Sequence, residues 1–274
     1  MPELTEQEVL EGSARMGLDT RFDFRCGPER ECFNCCCSDV SILLSPYDVL
    51  RLKKALHMDS SEFLEKYTLT MRSRDKKIPV VILRMDEETR KCQFVAASGC
   101  SVYHNRPWAC RMYPLGMAEP AGPNAAANRF YFLVQEPHCQ GHKTGHEQSV
   151  RAWIGDQGIE PFDQMQTSFL ELMSHPGWER SENLSQQQLD MYFMSLYDLD
   201  RFRRFVLETR FLELFDVDET RIEAITSDDE ELLEFAVNWL AFSLFHEKGM
   251  RLRKKAAVEP ESCADIAATC SVTS

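Results

Sequence analysis

Apolar positions fall into two unlike patterns along the chain. In the second half, Leu189, Tyr192, Phe193, Leu196, Leu199, Phe202, Phe205 and Val206 recur at three- and four-residue spacing, which predicts one apolar helical face. Ser185 and Gln188 stand ahead of it as a capping box, in which hydroxyl and amide each satisfy a backbone N–H at the helix start. Ser227 and Glu230 repeat that signature before residues 232–245, where apolar side chains lie almost all round. Such a helix is buried in a core or a subunit interface. The alternative is a membrane-surface helix carried by Trp239, Phe242, Phe245 and the basic stretch 248–255.

The first half reads as shorter elements. Ser45 and Pro46 suit an N-cap and first turn of a helix reaching about Leu56. A second short helix is expected from Asp59 to near Tyr67. Residues 78–85 suit a strand, 86–91 a turn, 92–95 a return strand and 129–134 another strand. Residues 119–127, rich in Pro, Gly and Ala, read as a loop. The expected fold class is α+β: a loop-rich cysteine-cluster metal-binding domain with short helices and a small sheet, then a mainly helical carboxyl-terminal region.

Cysteine usage sharpens that division. Of the eleven cysteines, those from Cys26 to Cys139 crowd the first half, and none follows until Cys263. The expected organisation is a polar lead-in at 1–24, a cysteine-cluster domain at 25–145, a helical region at 146–254 and a disordered tail at 255–274 with Cys263 and Cys270 unliganded. The net charge of −13 argues against nucleic-acid binding, which depends on surplus Lys and Arg. Residues 1–17 lack the apolar core of a leader, and no run reaches the roughly 18 apolar residues of a membrane span. The expectation is a cytoplasmic chain without a transmembrane segment, where reducing conditions keep thiols free.

The strongest chemical signal is Cys26-x5-Cys32-x2-Cys35-Cys36-Cys37. Thiolates two residues apart reach one metal because the loop between them turns back. Adjacent cysteines diverge, so such a run suits two neighbouring sites or one multinuclear cluster. Cys92, Cys100, Cys110 and Cys139 form a second group; with Cys26, Cys32, Cys35 and Cys36 they make eight thiols, enough for two tetrahedral sets, with Cys37 in excess of that count. A thiolate shell selects zinc or an iron–sulfur cluster, for example of the 4Fe–4S kind. Its negative charge needs donors, which Arg25, Arg30, Arg106 and Arg111 are placed to supply; for Arg106 and Arg111 the competing role is a salt bridge to an acidic residue. His138, His142 and His146 read either as further ligands or as solvated loop residues.

Phe24-x-Cys26, Cys32-x2-Cys35-Cys36 and Leu44-Ser45-x2-Asp48-x2-Arg51-Leu52 resemble the CxxCxxCC cysteine-cluster family of the YkgJ type. So does the run Cys92-x-Phe94, Gly99-Cys100-x2-Tyr103-x2-Arg106-Pro107-x2-Cys110-Arg111-x-Tyr113-Pro114. The resemblance spans about residues 22–145 and implies a mostly bacterial zinc- or iron-chelating domain. Two departures stand out: Glu29 occupies the position where the family's spacing puts a cysteine, and Cys37 extends the usual pair.

These features are compatible with a module that stores, delivers or senses metal, or with an iron–sulfur redox protein or enzyme. A third reading is a methylase-like enzyme, because flagellin lysine methylases share a similar cysteine-rich segment; no glycine-rich nucleotide turn accompanies it here. A Cys32-x2-Cys35 redox pair is a fourth, although no helix-opening βα context follows it. Partners expected from sequence are a metal ion or cluster, and a second copy or another protein against the carboxyl-terminal helices. No reaction is legible.

Overall fold

The computed structural model of the chain describes residues 14–119, 128–180 and 184–253. In chain order it contains β1 (Arg21–Phe24), β2 (Leu43–Leu44), α1 (Pro46–Leu56), α2 (Ser60–Tyr67), β3 (Thr68–Arg72), β4 (Pro79–Leu83), β5 (Val95–Ala96), β6 (Gly99–Cys100), α3 (Trp108–Met112), β7 (Leu115–Ala118), β8 (Phe130–Leu133) and β9 (His142–Ser149). Helices then dominate: α4 (Val150–Asp156), α5 (Glu160–Met173), α6 (Gly177–Arg180), α7 (Gln186–Leu196), α8 (Leu199–Glu208), α9 (Phe211–Leu214), α10 (Glu219–Ser227) and α11 (Asp229–Phe245). The fold is α+β, with small antiparallel sheets ordered β1-β9, β2-β4-β3, β5-β6 and β7-β8, followed by the helical region.

Helix α1 begins where its cap chemistry places it. Ser45 accepts the Asp48 N–H, and the Asp48 carboxylate accepts the Ser45 N–H at 2.8 Å and its hydroxyl at 2.8 Å. Because that hydroxyl also holds a buried carboxylate, Ser45→Ala is expected to cost about 1–2 kcal/mol, at the upper end of N-cap losses, read from the urea midpoint. Helix α7 carries the expected Ser185–Gln188 capping box. The second expected box is shifted by one residue: α10 runs through Ser227, whose hydroxyl bonds back to Glu223 O, and Asp228 caps α11 through the Glu230 N–H at 2.7 Å.

The long apolar face expected from Leu189 to Val206 is divided between α7 and α8. The break falls at Tyr197 and Asp198, where the Asp198 carboxylate receives the hydroxyls of Ser60 and Ser61 from α2. Helix α11 packs inward through Leu232, Leu233, Phe235, Ala236, Val237, Trp239 and Leu240. Among the described residues no helix is long and apolar enough to cross a membrane.

Two cores result. The larger runs from Leu44, Val49, Leu50, Leu52 and Phe63 through Phe162 to Leu196, Phe202, Leu232 and Leu240. It therefore draws on both the cysteine-bearing segment and the helical one. The smaller joins Met16, Phe22, Phe24, Met112, Leu115, Tyr131, Val150 and Ile159. The compositional boundary near Gly145 lies inside β9, which pairs with β1 in the stretch expected as lead-in. Residues 1–13, the 120–127 part of the expected loop and the tail with Cys263 and Cys270 lie outside the described residues.

Candidate metal centre

Backbone pairing brings the two ends of the cysteine-bearing segment together. Strand β1 pairs with β9 in the register Arg21↔Ser149 to Phe24↔His142, with a bulge at Asp23/Phe24. The Arg25 N–H then donates to Gly141 O at 2.9 Å, so Cys26 emerges beside residues 139–141. Gly141 is needed for that approach, because a Cβ there would stand 2.4 Å from the Phe24 ring. Two more bonds tie the strands of this loop: Arg30 Nη1 donates to Gln140 O at 3.1 Å, and the Gln140 N–H donates to Cys32 Sγ at 3.2 Å.

Successive tight turns carry the chain from Cys32 to Cys37. Cys35 N–H donates to Cys32 O at 2.9 Å and Cys37 N–H to Asn34 O at 3.0 Å. Asn34 sits in the left-handed region at φ 70°, a conformation that asparagine tolerates better than most residues, and its side chain donates to Ala96 O. Residues Cys35–Cys37 form one 3-10 turn, in which consecutive side chains point about 120° apart. Cys35 and Cys36 are exposed and Cys37 is half-buried.

The remaining cysteines approach from the β5-β6 hairpin and from α3. Val95 pairs with Cys100 across the hairpin, and Gly99 makes its turn at φ +115°. A Cβ at Gly99 would also meet the Phe33 ring at 3.3 Å, so the first cysteine loop rests on this hairpin. Cys92 lies opposite Met85 in an isolated bridge; the expected return strand at 92–95 is thus cut short, and its last residue instead starts the hairpin.

Helix α3 places Cys110 and is clamped on all sides. Its Trp108 N–H donates to the buried Asp48 carboxylate at 2.8 Å. Arg51 grips Asn105 Oδ1 through Nε at 3.1 Å and Nη2 at 2.8 Å. Arg106 and Arg111 are buried and spend their hydrogens on oxygens: Arg106 on Tyr103 O and the Gln157 side chain, Arg111 on the carbonyls of Arg106, His104 and Gln157. Neither forms an ion pair with an acidic side chain among the described contacts. Their hydrogen bonds hold the loop that presents Cys110, and the Arg106 charge favours ionised Cys100 and Cys110 from nearby.

The thiols sort into two neighbourhoods by the charges they feel. Burial first, then the neighbouring Cys36, Cys32 and Cys139, together push the Cys26 thiol up to about 11 against the opposing charge of Arg30. Cys36 is raised first by its contact with the Cys37 thiol and then by burial. Separately, burial pushes Cys110 up to about 12, with Cys92, Cys100 and Asp48 adding to the shift. Cys92 and Cys100 are raised by burial as well, although the N–H groups of Phe94 and Val95 at Cys92, and of Val102 at Cys100, favour the thiolate. Crowded thiols that cannot ionise side by side are stabilised as thiolates by a cation among them. Among the described residues no three His, Cys, Asp or Glu side chains stand in metal-holding geometry.

Orphaned donors fit that chemistry. The Tyr113 hydroxyl is buried beside Cys139 and Glu136, without a well-formed hydrogen bond to either; burial first, then Cys139 and Glu136, push its phenol up. Arg30 Nε, beside Cys26, is likewise buried and unpartnered. An anionic thiolate–metal group supplies the acceptors these donors lack. The histidines do not join the cluster as a unit. His138 pairs with Glu136 at 3.4 Å, the His142 ring lies against Phe24 at 5.1 Å, and the His146 N–H donates to Asp23. His142 and His146 sit in β9 rather than in the expected loop.

Residues 26–140 match the model of the CxxCxxCC family, described as "Putative zinc- or iron-chelating domain". The matched span opens at Cys26 and takes in all the described cysteines. No curated protein and no solved structure matches the chain.

Proposed function

We propose that residues 26–140, a CxxCxxCC domain, chelate zinc or iron through Cys26, Cys32, Cys36 and Cys139. The carrying observation is that the β1-β9 pairing and the Gln140 N–H bond to Cys32 bring thiols from the two ends of the domain to one place. Arg30, whose charge favours ionised Cys26, and Tyr113, whose hydroxyl lies beside Cys139, support it as donors at that place. Four thiolates around one zinc, or around an iron–sulfur cluster, carry a net charge of about −2, which those donors offset. What the chain's own residues supply is a fixed loop, a partial roof from the Phe24 and Tyr113 rings 6.1 Å apart, and a positive neighbour in Arg30.

The test is anaerobic purification followed by visible spectroscopy with zinc, iron and acid-labile sulfide analysis. A brown protein with iron and sulfide favours an electron-transfer or redox role; a colourless one with zinc favours metal handling or structural support. In either case Cys36→Ser and Cys139→Ser are expected to lose this metal while Cys35→Ser keeps it. A chain that is metal-free as isolated, and takes up neither zinc nor iron with its thiols reduced, would overturn the proposal.

A further inference from the structure

We infer that the open edge of the β2-β4-β3 sheet is a docking site for an extended, acidic segment of a partner protein, which adds beside β3 as a fourth strand.

Register sets what the sheet presents on each side. Leu44 pairs with Val81 and Val81 with Thr70; Leu43 pairs with Ile82 and Ile82 with Leu69; Val80 pairs with Met71. Directly opposed residues share a face, and successive ones alternate between faces. Leu44, Val81 and Leu83 line the buried side. The other face carries Leu43, Ile82 and Leu69 in one row and Val80 and Met71 in the next. Leu43 is 59% exposed, Leu69 47% and Met71 54%, three of the eight large apolar side chains so exposed among the described residues. Single exposed apolar residues are ordinary, whereas a clustered patch marks a contact surface.

Strand β3 is paired on one side only. The Arg84 N–H donates to Tyr67 O at 2.8 Å and the Ser73 N–H to Ile78 O at 2.9 Å, so in this antiparallel ladder Leu69 and Met71 turn their backbone groups toward β4. Those of Thr70 and Arg72 point to the open edge. Beside that edge Thr70, Arg72 and Pro79 of the sheet and Leu189 and Phe193 of α7 line a groove of about 360 Å³. An added strand answers both features. Its backbone completes the bonds of Thr70 and Arg72, and its alternate side chains enter the groove or extend the apolar rows.

Charge decides the occupant. Residues 68–84 carry Arg72, Arg74, Lys76, Lys77 and Arg84 against Asp75 alone, in a chain of net charge −13. Asp75 is taken by Lys76 at 3.0 Å, and Arg72 donates to the neutral Gln186 amide at 3.2 Å. Arg74 and Lys77 meet no acid among the described residues. The acid that lines the groove, Asp190, accepts the Gln186 amide at 2.7 Å and leaves the positive surplus standing. A second copy paired edge to edge sets this basic hairpin against itself. Lipid tails leave the outward N–H and C=O groups of β3 without partners. An acidic strand with apolar residues at alternate positions satisfies edge, face and charge together.

The test uses the full chain and a fluorescent peptide of alternating valine and glutamate, with the valine–lysine counterpart as control. The glutamate peptide is expected to bind, with affinity falling as salt rises, and the lysine peptide to bind at least about tenfold more weakly. On adding the glutamate peptide, hydrogen exchange should slow at the Thr70 and Arg72 amides and change little at Leu69 and Met71. Thr70→Pro removes an outward donor from an edge strand, where proline is tolerated, and should abolish binding at a melting temperature near that of wild type. Met71→Lys should weaken binding about tenfold. Absence of peptide binding, equal binding of the lysine peptide, or binding that leaves exchange at Thr70 and Arg72 unchanged would overturn the proposal. So would sedimentation of the chain with vesicles of equal parts phosphatidylserine and phosphatidylcholine that Met71→Lys abolishes, which assigns the face to lipid. A concentration-dependent dimer abolished by Met71→Lys would assign it instead to a second copy.

Discussion

Stripping metal from the folded chain is expected to loosen the cysteine loops and leave the helical core standing. A ligand that binds only the folded state stabilises it by about 4 kcal/mol at a free concentration a thousand times its dissociation constant, so emptying the site of the proposed chelating domain carries a loss of that order. The loss should be local. Residues 26–42 contain no element longer than a three-residue 3-10 turn and one isolated bridge at Ser38, and none of them contributes a fully buried apolar side chain. By contrast Leu196, Phe202, Leu232, Ala236 and Leu240 are fully inaccessible in the helical core. Hydrogen exchange followed before and after chelation should show residues 26–41, 86–101 and 136–141 moving to fast exchange, with α7, α8 and α11 protected as before. A melting temperature and exchange pattern indifferent to chelation would mean that the loops are held by their backbone bonds alone.

Capping residues and periodicity were sufficient to place α1, α2, β4, β8 and α7, because each is specified by side chains within a few positions of its end. The sheet that matters most to the candidate site was not readable in the same way. Strand β9 reads HKTGHEQS, with no alternation of apolar residues, and its partner β1 lies more than a hundred positions earlier. What stabilises it is the Asp23 carboxylate, which accepts the Thr144 hydroxyl at 2.7 Å and the Gly145 N–H at 2.8 Å; a local pattern cannot announce so distant a contact. The cysteines themselves were conspicuous, but their grouping was not. Spacing alone joined Cys139 to Cys92, Cys100 and Cys110, whereas the β1-β9 pairing carries it to Cys26 and Cys32. Asp48 and Arg51 illustrate the same limit, since their spacing on α1 is plain and their work, holding Trp108 and Asn105 ahead of Cys110, exists only in the fold.

Replacing Lys53 by methionine is expected to destabilise the chain by about 3 kcal/mol, the lower end of what removing one partner of a buried ion pair costs. Lys53 is buried on α1, with its ammonium 2.8 Å from Asp200 and 3.1 Å from Asp229. Arg203 also reaches both carboxylates and Lys54 reaches Asp229 at 3.6 Å, which limits the loss because neither acid is left wholly unpaired. This network stitches α1 to α8 and α11, that is, the cysteine-bearing segment to the helices, so its failure should separate the two in a way a surface pair would not. Burial pushes both carboxyls up, but the bonds from Lys53 and Ser60 at Asp200, and from Arg203 and Lys53 at Asp229, more than offset it and hold both below the ordinary value of 3.8. The sign follows: acids depressed in the fold stabilise it fully above their unfolded value and lose that contribution as pH falls through the folded one. Lys53→Met should let both carboxyls rise toward or above the unfolded value, so these two groups should give the variant a shallower acid limb than wild type, or none. Urea midpoints measured from pH 7 down to pH 3 test this directly: a wild-type advantage that is constant near neutrality and shrinks in acid is expected, and an advantage independent of pH would mean that Lys53 acts through packing of its methylene chain rather than its charge.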